Sequence, residues 1–315
     1  MEDKKAITLR GSCHHAQMTY DPSWLDPTSA WWAKANRAQH HVRSLGQQVE
    51  AFRTSTPYTV VPQATDTPGR TEYRLGVHQP MPVEISTTVG DVLHNLRSAL
   101  DSLAYEIARR GLDRPMTIEE EEACAFPVRA TPENFELFFD RTSKTPRTKL
   151  RSALYGGQAR AAFRSVQPFR IREDAIRLGV EVADTYEEEF RWSVLHRLAH
   201  LSNLDKHRRL TVLAWWPDLV YWMSNGPSNR RWVGGDGTST DGSVLGYMIG
   251  KDVDADDRLF HEFNLVLADD PVHDAGDPSS NTEDVVAMLN RWHEHITGWV
   301  FACVFGVLSR DGAPP

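Results

Sequence analysis

Val89-Gly-Asp-Val-Leu-His-Asn-Leu-Arg-Ser-Ala-Leu-Asp-Ser-Leu-Ala104 reads as a helix with two kinds of face. Val89, Leu93, Leu96, Leu100, Leu103 and, just beyond, Ile107 recur every three or four residues and form an apolar stripe. At about 100° per residue, His94, Arg97 and Asp101 share a second stripe, polar and chemically able. The stretch Leu195 to Arg209 repeats the pattern with His196, His200, Asn203 and His207 on one face. Two such stripes are expected to face each other inside a bundle, making a polar site of imidazole, guanidinium, carboxylate and amide.

The helix that should precede this one is equally clear. Trp31, Ala35, Ala38, Val42, Leu45, Val49 and Phe52 alternate steps of four and three, which predicts a long amphipathic helix. Tyr58 to Val61 and Thr71 to Val77, separated by Thr67-Pro-Gly, read as a hairpin, followed by an extended segment through Pro82 to Ser86. The second helix is expected from about Thr88 to Gly111. Glu119 to Glu122 reads as an exposed acidic run, and Cys124-Ala-Phe-Pro-Val as a short buried strand or turn. Shorter helices are expected over 132–140 and 147–164, with a break near Gly156-Gly157, and a longer one from Thr185 to Arg208. Beyond it, the β-formers at 210–216, 219–223, 243–249 and 260–267 predict an antiparallel meander, and a last helix should span Thr282 to Ser309.

This order predicts an α+β fold, a bundle of four or more helices packed with an antiparallel sheet. Residues 1–28 are expected to be a loosely ordered leader, and 29–315 a single interwoven domain.

Composition narrows the function classes. The amino end lacks the apolar run of a signal peptide, and the most apolar stretch, Trp299 to Leu308, falls short of the about 20 residues needed to span a bilayer, so a cytoplasmic protein without membrane partners is expected. Cys13, Cys124 and Cys303 are far apart and suggest neither disulfides nor a zinc knuckle. The net charge is −8, yet residues 141–172 carry nine Lys or Arg and no acid, leaving −17 elsewhere. Such a run is either a solvated face or a phosphate-binding surface. The chain has no Gly-x-x-x-x-Gly-Lys loop, no Gly-x-Gly-x-x-Gly turn and no Gly-x-Ser-x-Gly elbow, so P-loop hydrolysis, dinucleotide redox chemistry and serine hydrolysis lose support.

Two chemistries fit the stripes. In one, Arg97 and Lys206 hold a phosphate while His94 and His207 exchange protons near neutral pH, with Asp101 orienting a histidine or the arginine, Asn203 completing the catalytic set and Lys149, Arg151, Arg160 and Arg164 guiding the ligand. In the other, His196 and His200 bind a divalent metal with His94 and Asp101. Arg197, beside His196, disfavours a metal, and the zinc-protease glutamate is missing there. A structural alternative remains for both: Asp101 pairing Arg97, and the cations after Asn203 complementing a helix C-terminus.

The segments His94-Asn-Leu-Arg-Ser-Ala-Leu-Asp101, Arg37-Ala-x-His-His41 and Leu201-Ser-Asn-Leu-Asp-Lys-His-Arg208 resemble a widespread group of bacterial proteins with no assigned activity. The resemblance implies that the three helices share one bundle and that His41, His94 and His207 meet, adding His41 to the substrate-binding set. His200 departs from that pattern, which is often acidic there.

More remotely, the chain resembles the HEPN superfamily of helical ribonucleases and toxin components. Arg191 to His196 keeps the signature's spacing without its second residue, and Asn203 with His207 lacks the arginine.

The leading expectation is therefore a protein that binds or cleaves RNA or another phosphodiester without a cofactor, in a defence or toxin-like setting, with a homodimer as one possible assembly. The alternatives are a metal-dependent bundle enzyme and a binding module without catalysis.

Overall fold

A computed structural model describes residues 24, 26–180, 193–206, 213–222, 231–234, 241–250, 259–267 and 284–309. Most of the leader, His207 and the 185–192 part of the expected long helix lie outside the described residues. The protein is α+β. By its internal contacts the chain divides into two compact units, each assembled from segments distant in sequence.

One unit takes in residues 37–94 and 200–292. It holds most of helix α1 (Ala30–Thr54) and the first part of α2 (Val83–Arg110). The four-three periodicity of α1 is borne out, since Ala38, Val42, Leu45, Val49 and Phe52 are all buried. Helix α2 starts five residues earlier than expected. Proline suits a helix entrance, and burial of Ile85, Thr88 and Val89 outweighs the weak helix propensity of this β-branched run. The Thr88 hydroxyl donates to Glu84 O at 2.7 Å, absorbing a polar group that would otherwise compete with the helix.

Strands β1 (Tyr58–Ala64) and β2 (Arg70–Val77) form the expected hairpin, with Tyr58 opposite Val77 and Gly69 turning the chain at a φ of +73°. They join β4 (Arg231–Gly234) and β5 (Val244–Ile249) in an antiparallel sheet of order β1-β2-β5-β4. Pro62 sits on the edge strand β1, where its missing N–H costs no ladder bond.

The expected meander is not what forms. β3 (Leu213–Trp222) runs through the proline that had suggested two strands and pairs with β6 (Leu259–Leu267) in a separate two-stranded sheet. The register shifts between Pro217 and Leu219, a bulge that accommodates a residue unable to donate.

The other unit takes in residues up to 36, 95–199 and from 293 onward. Short helices follow α2: α3 (Ile118–Ala123), α4 (Pro132–Leu137), α5 (Pro146–Leu154), α6 (Gly157–Ser165) and α7 (Pro168–Arg177). The acidic run lies in α3, with Glu119, Glu121 and Glu122 exposed as expected, while Glu120 is only 7% exposed. Thr117 caps this helix and Glu120 reaches back to the Thr117 N–H, a reciprocal pair that explains the acid's burial. Cys124 to Val128 forms no strand; Phe126 and Pro127 are buried in an irregular segment.

Helix α8 (Val194–Lys206) starts within this unit. The last helical stretch comprises α9 (Val285–Glu294), a π-helical turn at His295–Val300 and α10 (Phe301–Leu308). Phe305 stacks on Trp24 at 5.4 Å between ring centroids, and Phe301 meets Trp32 edge-on at 5.1 Å. Among the described residues, no helix is long and apolar enough to cross a membrane.

Candidate functional site

The polar stripe of α2 turns out to hold a neighbouring segment of chain. Arg97 and Asp101 form a two-pronged ion pair, with Nε donating to Oδ2 at 3.2 Å and one terminal nitrogen donating to Oδ1 at 2.9 Å. The same Arg97 nitrogen donates to Phe126 O at 3.0 Å, and the Phe126 N–H donates to Asp101 Oδ1 at 3.0 Å. Both hydrogen-bonding groups of one residue in an irregular segment are thereby satisfied by side chains, as a peptide outside a helix or sheet requires.

A second clamp sits three residues on. Gln167 is fully buried, and its amide nitrogen donates to Pro127 O at 2.9 Å and Phe163 O at 3.1 Å, while its carbonyl oxygen accepts the Arg129 N–H at 3.0 Å. Residues 126–129 are thus fixed from two sides. Beneath them lies an aromatic core in which Phe126, Phe135, Phe138, Phe139, Tyr155 and Phe163 meet mostly edge to face.

What this segment presents is Arg129. A cleft of about 410 Å³ is lined by Val128, Arg129 and Ala130 from the clamped segment, Asn134, Leu137 and Phe138 from α4 and its end, and Thr148 and Arg151 from α5. The local sequence explains the geometry. Pro132 opens α4 behind a Thr131 cap whose hydroxyl accepts the Asn134 N–H, setting Asn134 and Leu137 three residues apart on one face. Pro146 opens α5, and Thr148 and Arg151 are likewise three apart.

The two guanidiniums of the cleft share one ring: Arg151 lies 4.2 Å and Arg129 4.7 Å from the Phe138 centroid. Arg151 Nε donates to Ala123 O at 2.9 Å, and one terminal nitrogen of Arg129 donates to Val128 O at 3.2 Å. Among the described residues, no carboxylate comes within 4.0 Å of either cation. Burial, then the charges of Arg151 and Arg97, hold the Arg129 guanidinium below its ordinary range, and burial does the same to Arg151. The arrangement suits capture of an anion, since Asp101, whose charge reaches Arg151, is already paired with Arg97.

The other expected site residues fall as follows. His94 is exposed on α2. His41 lies 3.9 Å from Asp91, and burial lowers its pKa more than Asp91 raises it. Asn203 is exposed on α8; the Lys206 side chain and all of His207 lie outside the described residues. His196 and His200 are half-buried on α8, and among the described residues no group of three or more His, Cys, Asp or Glu gathers in a way that could hold a metal.

The basic segment is less bare in space than in sequence. Arg164 pairs with Glu136 at 3.4 Å and Glu173 at 3.5 Å, Arg170 with Glu173 and Asp174, and Arg147 with Glu122 at 3.6 Å. Arg160 turns inward to Tyr155 O and Ser152 O, satisfying carbonyls at the C-terminal end of α5. Lys149 is exposed. Of the expected ligand-guiding residues, Arg151 alone lines the cleft. Arg129, Asn134 and Thr148 were missed.

No family model, no curated protein and no solved structure matches this chain.

Proposed function

We propose that this protein binds a phosphate-bearing ligand, RNA, through the cleft of Arg129 and Arg151. The observation that carries the reading is the pair of half-buried guanidiniums without a carboxylate partner. A charge removed from water is costly unless an opposite charge meets it, so a site that concentrates two cations is poised for an anion. Asn134 and Thr148 add neutral hydrogen-bonding groups, while Val128 and Leu137 supply apolar wall.

Binding, rather than cleavage, is the activity the geometry supports. A phosphodiesterase built on Arg97 and Asp101 needs their polar groups turned to substrate, and here both engage the backbone of Phe126. Their role in this reading is to position the segment that carries Arg129.

The test is a titration of a labelled single-stranded RNA with the wild-type protein and with Arg129→Met and Arg151→Met, each checked for an unchanged circular-dichroism spectrum. A loss of about tenfold or more in affinity for both variants is expected, about 1.4 kcal/mol each. RNA binding that is absent in the wild type, or indifferent to both substitutions, refutes the proposal.

A further inference from the structure

We infer that the cleft selects a terminal phosphomonoester, the phosphorylated end of an RNA strand, over the internal phosphodiesters of the same strand. The inference rests on the proposed RNA-binding function and narrows it to one chemical group.

The first argument is charge. Arg129 and Arg151 bring two positive charges to one cleft, and no carboxylate among the described residues lies within 4.0 Å of either. An internal diester brings a single negative charge. A terminal monoester carries about −1.5 to −2 near pH 7 and offers three strong acceptor oxygens, matching two guanidinium forks at once.

The second argument is stiffness. Each guanidinium already donates to a backbone carbonyl, Ala123 O or Val128 O, and lies over the Phe138 ring, while the Arg129 N–H is held by buried Gln167. Such cations form a fixed receptor for one compact group. A surface that tracks a strand instead offers aromatic rings along a groove for successive bases to stack on, whereas Phe138 here is already covered by the two guanidiniums.

Size gives the third argument. The cleft, about 410 Å³ and open to solvent, has room for one phosphate and the nucleotide that bears it. Leu137 is 60% exposed beside the cations, an apolar surface on which the sugar or base next to the phosphate can rest.

The experiment compares one short RNA in three forms: unphosphorylated, 5′-phosphorylated and 3′-phosphorylated. Each is titrated against the wild-type protein, Arg129→Met and Arg151→Met, with inorganic phosphate and a phosphoserine peptide as competitors. A phosphorylated form is expected to bind about tenfold tighter than the unphosphorylated one, with the preference lost in both variants. The preference should also shrink as pH falls below about 6, where the monoester dianion takes up a proton and keeps a single negative charge. Equal binding of all three forms, still dependent on the two arginines, overturns the terminal-phosphate inference and leaves the RNA-binding reading standing. A phosphoserine peptide that outcompetes the phosphorylated RNA overturns it in favour of a protein ligand. No binding of any RNA removes the parent reading as well.

Discussion

Arg97 and Asp101, one helical turn apart on α2, hold the Phe126 peptide between them, the guanidinium donating to its carbonyl and the carboxylate accepting its N–H. A pair that could serve catalysis thus anchors an irregular segment three residues before the cleft arginine Arg129. Arg97 is 16% and Asp101 35% exposed, so water screens the pair only in part.

Asp101→Ala should remove both the counter-ion of Arg97 and the acceptor of the Phe126 N–H. A stability loss of about 1.5 to 3 kcal/mol is expected, the usual cost of hydrogen bonds to charged groups. Urea unfolding measures it. A variant as stable as the wild type shows that the clamp contributes nothing.

RNA affinity should fall with salt, and each cleft arginine should account for its own share of that slope. For single strands, removing one phosphate contact flattens the plot of log affinity against log salt by about 0.7. Arg151→Met and Arg129→Met are each expected to do so. Lys149→Met, changing an exposed residue, should weaken binding less than either. Identical slopes for wild type and cleft variants would mean that the RNA is held elsewhere.

Glu120 is held at a pKa of about 2, by the Arg114 guanidinium first and the Thr117 N–H second. Its unfolded value lies near 4.3. A depressed acid contributes stability that is present above its unfolded pKa and is lost as pH falls through the folded value. The stability difference between wild type and Glu120→Gln should therefore be full above about pH 4.5 and shrink toward pH 2. Melting curves across that range check it; a difference that stays constant excludes the linkage.

His295, stacked on Trp299 at 4.8 Å in the π-helical turn, has its pKa lowered to about 4 by burial. The unfolded chain takes up this proton near pH 6.5, the folded protein only near 4, so the stabilising contribution is present above 6.5 and disappears on acidification. His295→Phe keeps the ring and removes the proton site. It should spare the protein a loss on the order of 3 kcal/mol between pH 6.5 and 4. Parallel acid limbs for wild type and variant in denaturant unfolding would contradict this.

Helix faces were legible in the sequence because burial repeats at the helical period: every apolar position of α1 named from its spacing is buried, as are those of α2. Strand pairing was not, since residues at 213–222 find partners at 259–267, across two strands that belong to another sheet. Local periodicity carries no information about such a choice. The site divides in the same way. Arg151 was read from the charge run, whereas Arg129 stands alone in an irregular segment, and only Gln167, Phe138 and the Arg97 clamp, from elsewhere in the chain, give it significance. The nine clustered cations suggested one broad basic surface; Glu122, Glu136, Glu173 and Asp174 answer several of them from neighbouring positions in space.

The stacking of Trp24 on Phe305 constrains how the protein comes into being. One unit joins the beginning of the described chain to its last helix, so a ribosome must synthesise nearly everything between before Phe305 stacks on Trp24 and Phe301 meets Trp32. Contacts of such wide sequence separation form slowly and leave apolar surface uncovered meanwhile. Nascent chains halted before Phe301 should therefore be chaperone clients, and a stop codon just before Phe301 should be as damaging as one near residue 150.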